Sequence, residues 1–345
     1  MSVPAAERAA QPGAAPVLQV TGLDVNIKLP NSVVRAVQNV SLEVRTGETL
    51  GIVGESGCGK STLGSALAGL LPPEAKASGS IKVGGRELVG LSERELRAVR
   101  GSEVGIVFQD PMTSLNPTKR IGVQVGEALR LQRGASKAAA RSAAAEMLGR
   151  VGLPRPFEQL DRFPHELSGG MRQRVVIASA LICEPKLLIA DEPTTALDVT
   201  TQAQILELFD GLSDELGMAT LLVTHDMGVV AGHTDRVFVM YAGREAETGA
   251  TGTIFSQPRH QYTGALLGSI LRMETPRKAR LGTIPGRPPD LSAPGAGCPF
   301  APRCAAASDE CTSQLPAASD EDGHRWSCYH PLAVQETKRI SEAQR

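Results

Sequence analysis

Residues 54–61 have the types and the spacing of a phosphate-binding loop, because Gly-Glu-Ser-Gly-Cys-Gly-Lys-Ser matches G-x-x-x-x-G-K-S. Residues 49–53 before the loop predict a β-strand and residues 62–70 after it predict a helix, which is the setting that such a loop requires. Lys60 would neutralise phosphate oxygens and the Ser61 hydroxyl would ligate Mg²⁺, while backbone N–H groups surround a β-phosphate. A Gly-rich turn that binds nothing is the disfavoured alternative. The predicted nucleotide-binding residues of this segment are Gly54, Glu55, Ser56, Gly57, Cys58, Gly59, Lys60, Ser61 and Thr62.

A second chemical element lies at residues 187–193, an apolar run that ends in the carboxylates Asp191 and Glu192. Asp191 would hold Mg²⁺ through water, and Glu192 would polarise the water that attacks the γ-phosphate. Two neighbouring carboxylates at a strand end are also compatible with a solvated turn. Because a phosphate loop is present in the same chain, nucleotide hydrolysis is the favoured interpretation.

The elements that must position these residues are short β-rich runs that alternate with longer helical stretches from residue 18 to about residue 241. This order is typical of an α/β domain, and nearly all-apolar runs such as 187–190 and 221–223 predict a largely parallel sheet buried on both faces. The predicted strands are residues 18–27, 35–44, 49–53, 80–83, 104–108, 186–190, 219–223 and 236–241.

A mostly helical block is expected between the strands that end at residue 108 and begin at residue 186. Within it, Ala144, Met147, Leu148 and Val151 follow the i, i+3, i+4, i+7 spacing of an apolar helix face. This spacing predicts a helix that packs in the core.

Charge and hydropathy exclude several classes of protein. The 345 residues contain 36 Lys and Arg against 37 Asp and Glu, so no global basic field exists to hold nucleic acid. The densest apolar run, residues 175–183, is shorter than the roughly 18–25 residues that a membrane-spanning helix needs. Residues 1–16 lack the apolar centre of a secretory signal and predict a disordered tail, so the cytoplasm is the expected compartment.

The last part of the chain differs in composition from the rest. Residues 282–297 are rich in Gly and Pro and predict an extended linker or a series of turns. Four cysteines follow in a segment with few aliphatic side chains, and in a reducing cytoplasm this favours a metal centre over disulfides. These cysteines are Cys298, Cys304, Cys311 and Cys328. Their spacing differs from the paired C-x2-C of common zinc folds, and four thiolates can hold an iron-sulfur cluster.

The segment Leu-Ser-Gly-Gly-Met-Arg-Gln-Arg at residues 167–174 resembles the signature motif of ATP-binding cassette (ABC) ATPases. The resemblance implies that Gln109 is the Q-loop residue, which reaches Mg²⁺ and the attacking water, and that His225 is the switch histidine, which contacts the γ-phosphate. Residues 195–198 match the D-loop. The resemblance also implies that two cassettes close face to face around ATP. The residues expected to serve the ATP of the partner subunit are Ser168, Gly169, Gly170 and Asp198.

The base end of the nucleotide site departs from the family pattern. The family normally stacks an aromatic ring on adenine upstream of the phosphate loop, and residues 26–40 contain no Phe, Tyr or Trp. Val34 or the Arg35 guanidinium is expected to cover the base instead.

Two long motifs resemble the dipeptide/oligopeptide permease ATPase subunits, namely Phe-Gln-Asp-Pro-Met-Thr-Ser-Leu-Asn-Pro at 108–117 and Asp-Glu-Pro-Thr-Thr-Ala-Leu-Asp-Val-Thr at 191–200. The similarity continues through residues 260–263, 284–289 and 298–304. It implies a subunit at the cytoplasmic face of the membrane that powers import of di- or oligopeptides. The implied partners are two transmembrane permease subunits, a second and different ATPase subunit, and an extracytoplasmic peptide-binding protein. The alternatives are an ABC importer for nickel or another small solute, and a soluble ABC ATPase that acts on nucleic acid.

The same resemblance implies that the four cysteines bind a [4Fe-4S] cluster. Zinc is the second possibility, with His324 or His330 as a substitute ligand, and disulfides are the third. The expected fold class is α/β: a P-loop ABC ATPase with a mixed sheet core, a helical subdomain and a small Cys-rich C-terminal extension. The expected organisation is a tail at 1–16, a nucleotide-binding domain at 17–260 with its helical subdomain at about 110–180, a connecting segment at 261–297 and a Cys-rich region at 298–345.

Overall fold

The structure, a computed structural model, describes residues 16–195, 197–270 and 283–333. Nearly all of the predicted tail, Ala196 of the predicted D-loop, part of the connecting segment and the end of the Cys-rich region lie outside the described residues. Among the residues described, no helix combines the length and the apolar character needed to cross a membrane.

The strands and helices follow one another in the alternating order that the sequence predicts. The strands are β1 Leu18–Lys28, β2 Val33–Val44, β3 Thr49–Val53, β4 Ala75–Val83, β5 Arg86–Glu87, β6 Val104–Val107, β7 Leu187–Asp191, β8 Ala219–Thr224, β9 Arg236–Tyr241, β10 Arg244–Ala250, β11 Ser319–Glu321 and β12 His324–Trp326. The helices are α1 Lys60–Leu67, α2 Glu93–Val99, α3 Pro111–Ser114, α4 Ile121–Val125, α5 Glu127–Arg133, α6 Lys137–Arg150, α7 Pro156–Gln159, α8 Gly169–Leu181, α9 Val199–Leu216, α10 Met227–His233, α11 Thr251–Ser256, α12 Gln261–Gly268 and α13 Asp309–Ser313. Short 3₁₀ helices lie at Pro164–Glu166 and Ala301–Arg303.

The larger sheet has the strand order β11-β12-β10-β9-β3-β8-β7-β6. Strands β9, β3, β8, β7 and β6 are parallel to one another, whereas β10, β12 and β11 continue the sheet with antiparallel pairs. Every residue of β3 and β8 is buried, as expected of parallel strands covered on both faces. The mixed α/β sheet core is therefore confirmed. A second, antiparallel sheet has the order β2-β1-β4-β5.

The predicted strands at 49–53 and 236–241 agree with β3 and β9 at both ends. Three other elements differ from the prediction. Strand β4 begins at Ala75 instead of residue 80, because its first half is small and polar and is ordered by pairing with β1. Helix α1 spans 60–67 instead of 62–70. Strand β10 was not predicted, because its sequence, rich in charged residues, lacks the regular apolar alternation that indicates a strand.

The helical block between β6 and β7 packs against the larger sheet. Ala144, Met147, Leu148 and Val151 are all at most 4% exposed in its core, so the predicted apolar face of α6 is confirmed. Ser136 caps this helix by accepting a hydrogen bond from the Ala139 N–H at 3.2 Å. Helices α3 to α8 occupy residues 111–181, close to the range expected for the helical subdomain.

The C-terminal region is built into the same sheet. Strand β12 pairs with β10 in antiparallel register, with Glu247 opposite Trp326. Phe300 packs against both Tyr241 and Tyr262, at ring-centroid distances of 5.3 and 5.4 Å. The residues after the cassette strands therefore share a hydrophobic cluster with them.

Candidate functional site

The phosphate loop joins β3 to the N-terminus of α1, as the sequence predicts. Gly54 and Gly59 have φ angles of 156° and 103°, which residues with a Cβ atom rarely adopt. A Cβ on Gly59 would lie 2.2 Å from the Ala36 carbonyl oxygen, so the loop requires glycine there for steric reasons as well. Lys60 is buried and donates from Nζ to the carbonyl oxygens of Gly54 and Glu55, at 2.7 and 3.0 Å. Its ammonium group therefore lies over the loop.

Strand β7 delivers Asp191 next to the first turn of α1. The Ser61 hydroxyl donates to Asp191 Oδ1 at 3.3 Å, so the two residues predicted to hold Mg²⁺ are neighbours. Burial raises the pKa of Asp191, and the charge of Glu192 acts in the same direction. A bound cation would offset this cost. Within the described residues, no three His, Cys, Asp or Glu side chains are grouped to hold a metal ion by themselves. A site of this type suits Mg²⁺, which keeps several waters and takes further oxygens from substrate phosphates.

Glu192, directly after β7, is the centre of a side-chain network. Gln109 Nε2 donates to its carboxylate at 2.9 Å, the Thr195 hydroxyl donates at 3.0 Å, and His225 Nδ1 lies 3.1 Å from Oε1. Burial alone would raise the pKa of Glu192, but the bonds from His225 and Thr195 and nearby positive charges outweigh it and lower that pKa. The backbone of Glu192 is left-handed, with φ 46°, a strained conformation that often occurs at functional sites. The sequence did not indicate that Thr195 contacts Glu192.

The network and the phosphate loop line one cavity of about 590 Å³. Its lining residues are Ser56, Gly57, Gly59, Lys60, Ser61, Thr62, Gln109, Glu192, Thr195, His225, Ile27, Val34, Ala36 and Leu291. Most of the predicted nucleotide residues are thus brought together. Gly54, Glu55, Cys58 and Asp191 do not line the cavity; Gly54 and Cys58 are buried behind it, and Asp191 reaches it through Ser61.

Part of the cavity lining is aliphatic, formed by Val34 and Ala36 of β2 together with Ile27 and Leu291. It includes Val34, which the sequence predicted to cover the base. Arg35, which the sequence offered as a cover for the base, is exposed and is not among the lining residues, because successive side chains of a strand point to opposite faces. Its backbone N–H instead donates to the Leu291 carbonyl oxygen at 2.9 Å. This bond holds the Gly- and Pro-rich segment against β2.

The signature residues lie away from this cavity. Ser168 is the N-cap of α8 and accepts a hydrogen bond from the Met171 N–H at 3.4 Å, so Gly169 and Gly170 form the first turn. Asp198 caps α9 in the same way. Ser168, Gly169 and Asp198 are exposed, and none of the four predicted partner-site residues lines the chain's own nucleotide cavity.

The four C-terminal cysteines line a second, very small cavity. All of them are free thiols, and burial raises the pKa of Cys298, Cys304 and Cys328. The two histidines weighed as zinc ligands differ in position, because His330 lines this cavity whereas His324 Nε2 lies 2.7 Å from Glu247 Oε1 elsewhere.

Comparisons with known proteins agree with this architecture. Residues 37–195 match the ABC transporter family model, and residues 246–311 match the model for the oligopeptide/dipeptide transporter C-terminal region. The dipeptide transport ATP-binding protein DppD of Bacillus subtilis is 50% identical over 91% of this chain and 94% of its own length. The oligopeptide transport ATP-binding protein OppD of Salmonella typhimurium is 48% identical over 92% and 94%.

Among solved structures, the dimeric ABC transporter cassette MJ0796 has a TM-score of 0.61 and 31% identity, covering 68% of this chain and 98% of that cassette. Its fold is that of an ABC ATPase, and the two sequence relatives extend the match over nearly the whole chain. The chain therefore belongs to the ABC transporter family, among the ATP-binding proteins of dipeptide and oligopeptide transport.

Proposed function

We propose that this chain hydrolyses ATP and that hydrolysis powers the import of di- or oligopeptides through a membrane ABC permease. The observation that carries the proposal is the single cavity shared by the phosphate loop and the Glu192 network. The peptide class is supported by relatives named for dipeptide and oligopeptide transport, which match both the cassette and the C-terminal region.

In the proposed reaction, Lys60 and the loop N–H groups hold the phosphates. Ser61 would ligate Mg²⁺ directly and Asp191 through water, with Gln109 as a third contact. The ion would supply positive charge to the phosphate oxygens. Glu192 is ionised because its pKa is lowered, so it can accept a proton from the water that attacks the γ-phosphorus.

Gln109 and Thr195 restrict the Glu192 carboxylate to one orientation through their hydrogen bonds. His225 is placed beside the same carboxylate, where it can contact the γ-phosphate. The bond between the γ-phosphorus and the bridging oxygen then breaks to give ADP and phosphate.

The partners follow from the surfaces outside this cavity. Ser168, Gly169, Gly170 and Asp198 are proposed to contact ATP held by a second, homologous ATPase subunit in a heterodimer. The 31% identical cassette MJ0796 is dimeric, which supports pairing of cassettes. We further propose that two transmembrane permease subunits dock on the helices between residues 111 and 151 and that an extracytoplasmic protein delivers the peptide. The chain would thus work at the cytoplasmic face of the membrane.

The four C-terminal cysteines are proposed to hold a [4Fe-4S] cluster. Support comes from the cavity that the four thiols line in common. Four thiolates are sufficient to hold such a cluster. Zinc, with His330 of the same cavity as a substitute ligand, is the alternative.

Uptake by cells that carry Glu192→Gln in place of the wild-type chain tests the transport proposal. Radiolabelled di- and tripeptides should enter the wild type and fail to accumulate in the variant, while nickel uptake is equal in both. Nickel uptake lost with peptide uptake intact would assign the chain to the metal importers. Normal uptake of both would refute the proposal.

Anaerobic purification tests the cluster. About four irons and four acid-labile sulfides per chain are expected for a [4Fe-4S] centre. Cys298→Ser should remove them, whereas Cys183→Ser, a buried cysteine in the helical block, should not. Stoichiometric zinc without sulfide would refute the cluster.

A further inference from the structure

The C-terminal region touches the phosphate loop through a partly buried ion pair. Arg303 Nη1 and Nη2 donate to the two carboxylate oxygens of Glu55, at 2.5 and 3.0 Å. The Arg303 side chain is 4% exposed and that of Glu55 is 24% exposed, so this forked contact is far better shielded from water than a surface pair.

Arg303 is held from several sides. Its Nε donates to the Pro285 carbonyl oxygen at 2.7 Å, and Nη1 also donates to the Tyr241 hydroxyl at 3.1 Å. A guanidinium fixed in this way presents a rigid fork, so it determines where the Glu55 carboxylate lies.

Other residues downstream of the cassette motifs hold the same loop. The Glu55 N–H donates to the Tyr262 hydroxyl at 2.8 Å, and the Gly243 N–H donates to the Cys58 carbonyl oxygen at 2.8 Å. The conformation of the phosphate loop is therefore set partly by residues that follow the hydrolytic motifs in sequence.

We propose that Arg303 is a positioning residue for nucleotide binding, which neutralises Glu55 and fixes it away from the phosphates. The proposal rests on the proposed ATP binding. ATP carries several negative charges, so a free carboxylate on the loop that surrounds its phosphates would oppose binding. The pair removes this repulsion before ATP arrives.

The position of Arg303 in the chain also connects the loop to the cysteine cavity. Arg303 is the last residue of the 3₁₀ helix Ala301–Arg303, and Cys304 follows it directly. Within this turn the Arg303 N–H donates to Phe300 and the Cys304 N–H donates to Ala301. A change in what Cys304 binds would move this turn, and the movement would reach Glu55 through Arg303.

The test measures ATP affinity of the full-length chain with a fluorescent ATP analogue. Arg303→Gln should raise the Kd about tenfold, since it leaves Glu55 without its counter-charge. Arg303→Lys keeps the charge, so the logarithm of its Kd should rise by less than half as much as that of Arg303→Gln. Adding Glu55→Gln to Arg303→Gln should restore most of the affinity, because the repelling charge is then gone.

Arg325→Ala is the matched control. Arg325 also joins the C-terminal region to the cassette, through Nε to Glu245 at 2.7 Å, but it does not contact the phosphate loop. Its loss should leave the Kd unchanged. Equal Kd values for Arg303→Gln and wild type would overturn the proposal. It would also be overturned if Glu55→Gln failed to restore the ATP affinity of Arg303→Gln, because that result is expected when Arg303 only stabilises the fold. A wild-type chain that binds no ATP would instead refute the proposed function.

Cys304→Ser tests the connection to the cysteine cavity. It should raise the Kd in the chain with Arg303 and have no further effect in Arg303→Gln, since both changes act through one contact. Additive effects would exclude transmission through Arg303. Iron and sulfide assays of the same samples report separately on the cluster.

Discussion

Replacement of Glu192 by Gln tests the proposed general base most directly. The amide keeps the size of the side chain but removes its negative charge. It also places an NH₂ group next to hydrogen-bond donors that contact carboxylate oxygens in the wild-type protein. Gln109 and Thr195 both donate to this carboxylate. Because the pKa of Glu192 is lowered, the base is ionised in essentially every molecule at neutral pH and the full contribution should be lost. A positioned general base accelerates a reaction by about 10²- to 10⁴-fold, so turnover should fall by about that factor. This corresponds to an activation barrier that is higher by about 3–5 kcal/mol.

The assay is phosphate release by the chain in its membrane complex, combined with the Kd for ATP of the purified chain. The expected Kd stays within about threefold of wild type, because the phosphates are held by the loop and by Lys60. Glu215→Gln is the control, since Glu215 is an exposed partner of Arg150 outside the cavity. Turnover of Glu192→Gln within about threefold of wild type would show that another group accepts the proton.

Further predictions concern the loop, the base end and the core. Gly59→Ala should abolish detectable ATP binding, measured by fluorescence, because its Cβ would meet the Ala36 oxygen at 2.2 Å. Leu291→Ala should raise the Kd for ATP about fivefold, by loss of about 1 kcal/mol of apolar contact, and leave the Kd for inorganic triphosphate unchanged. Equal effects on both ligands would exclude contact with the base. Leu148→Ala should lower the free energy of unfolding by about 2–5 kcal/mol in a urea titration, and a smaller loss would mean that the fully buried site collapses around the cavity.

Local patterns in the sequence predicted the cassette well. Strand β3, the loop and helix α1 are adjacent in the chain, so their contacts depend on short-range geometry. Gln109 and His225 were assigned to the site of Glu192 through the family resemblance, and the structure brings the three together because parallel strands end at the same edge of a sheet.

Contacts between distant segments could not be predicted from the sequence. Glu247 is fully buried in β10, where an ionised carboxylate without hydrogen bonds would have a prohibitive desolvation cost. It accepts hydrogen bonds from the backbone N–H groups of Arg259 and His260, which offset this cost. Only the folded chain shows these partners. Leu291 and Arg303 were missed for the same reason. Leu291 reaches the cavity from the Gly- and Pro-rich segment, and Arg303 reaches the phosphate loop from the Cys-rich region, both far along the chain.

The pairing of β10 with β12 has a consequence for synthesis on the ribosome. Glu247 emerges well before its partner Trp326, about 80 residues later, a delay of about 4–16 s at roughly 5–20 residues per second. During that interval the outer edge of the newly formed sheet offers free N–H and C=O groups to any neighbouring nascent chain. Premature termination between these two positions should therefore yield insoluble polypeptide that recruits chaperones, instead of a shorter ATPase. Protection of this edge therefore waits until β12 has been synthesised.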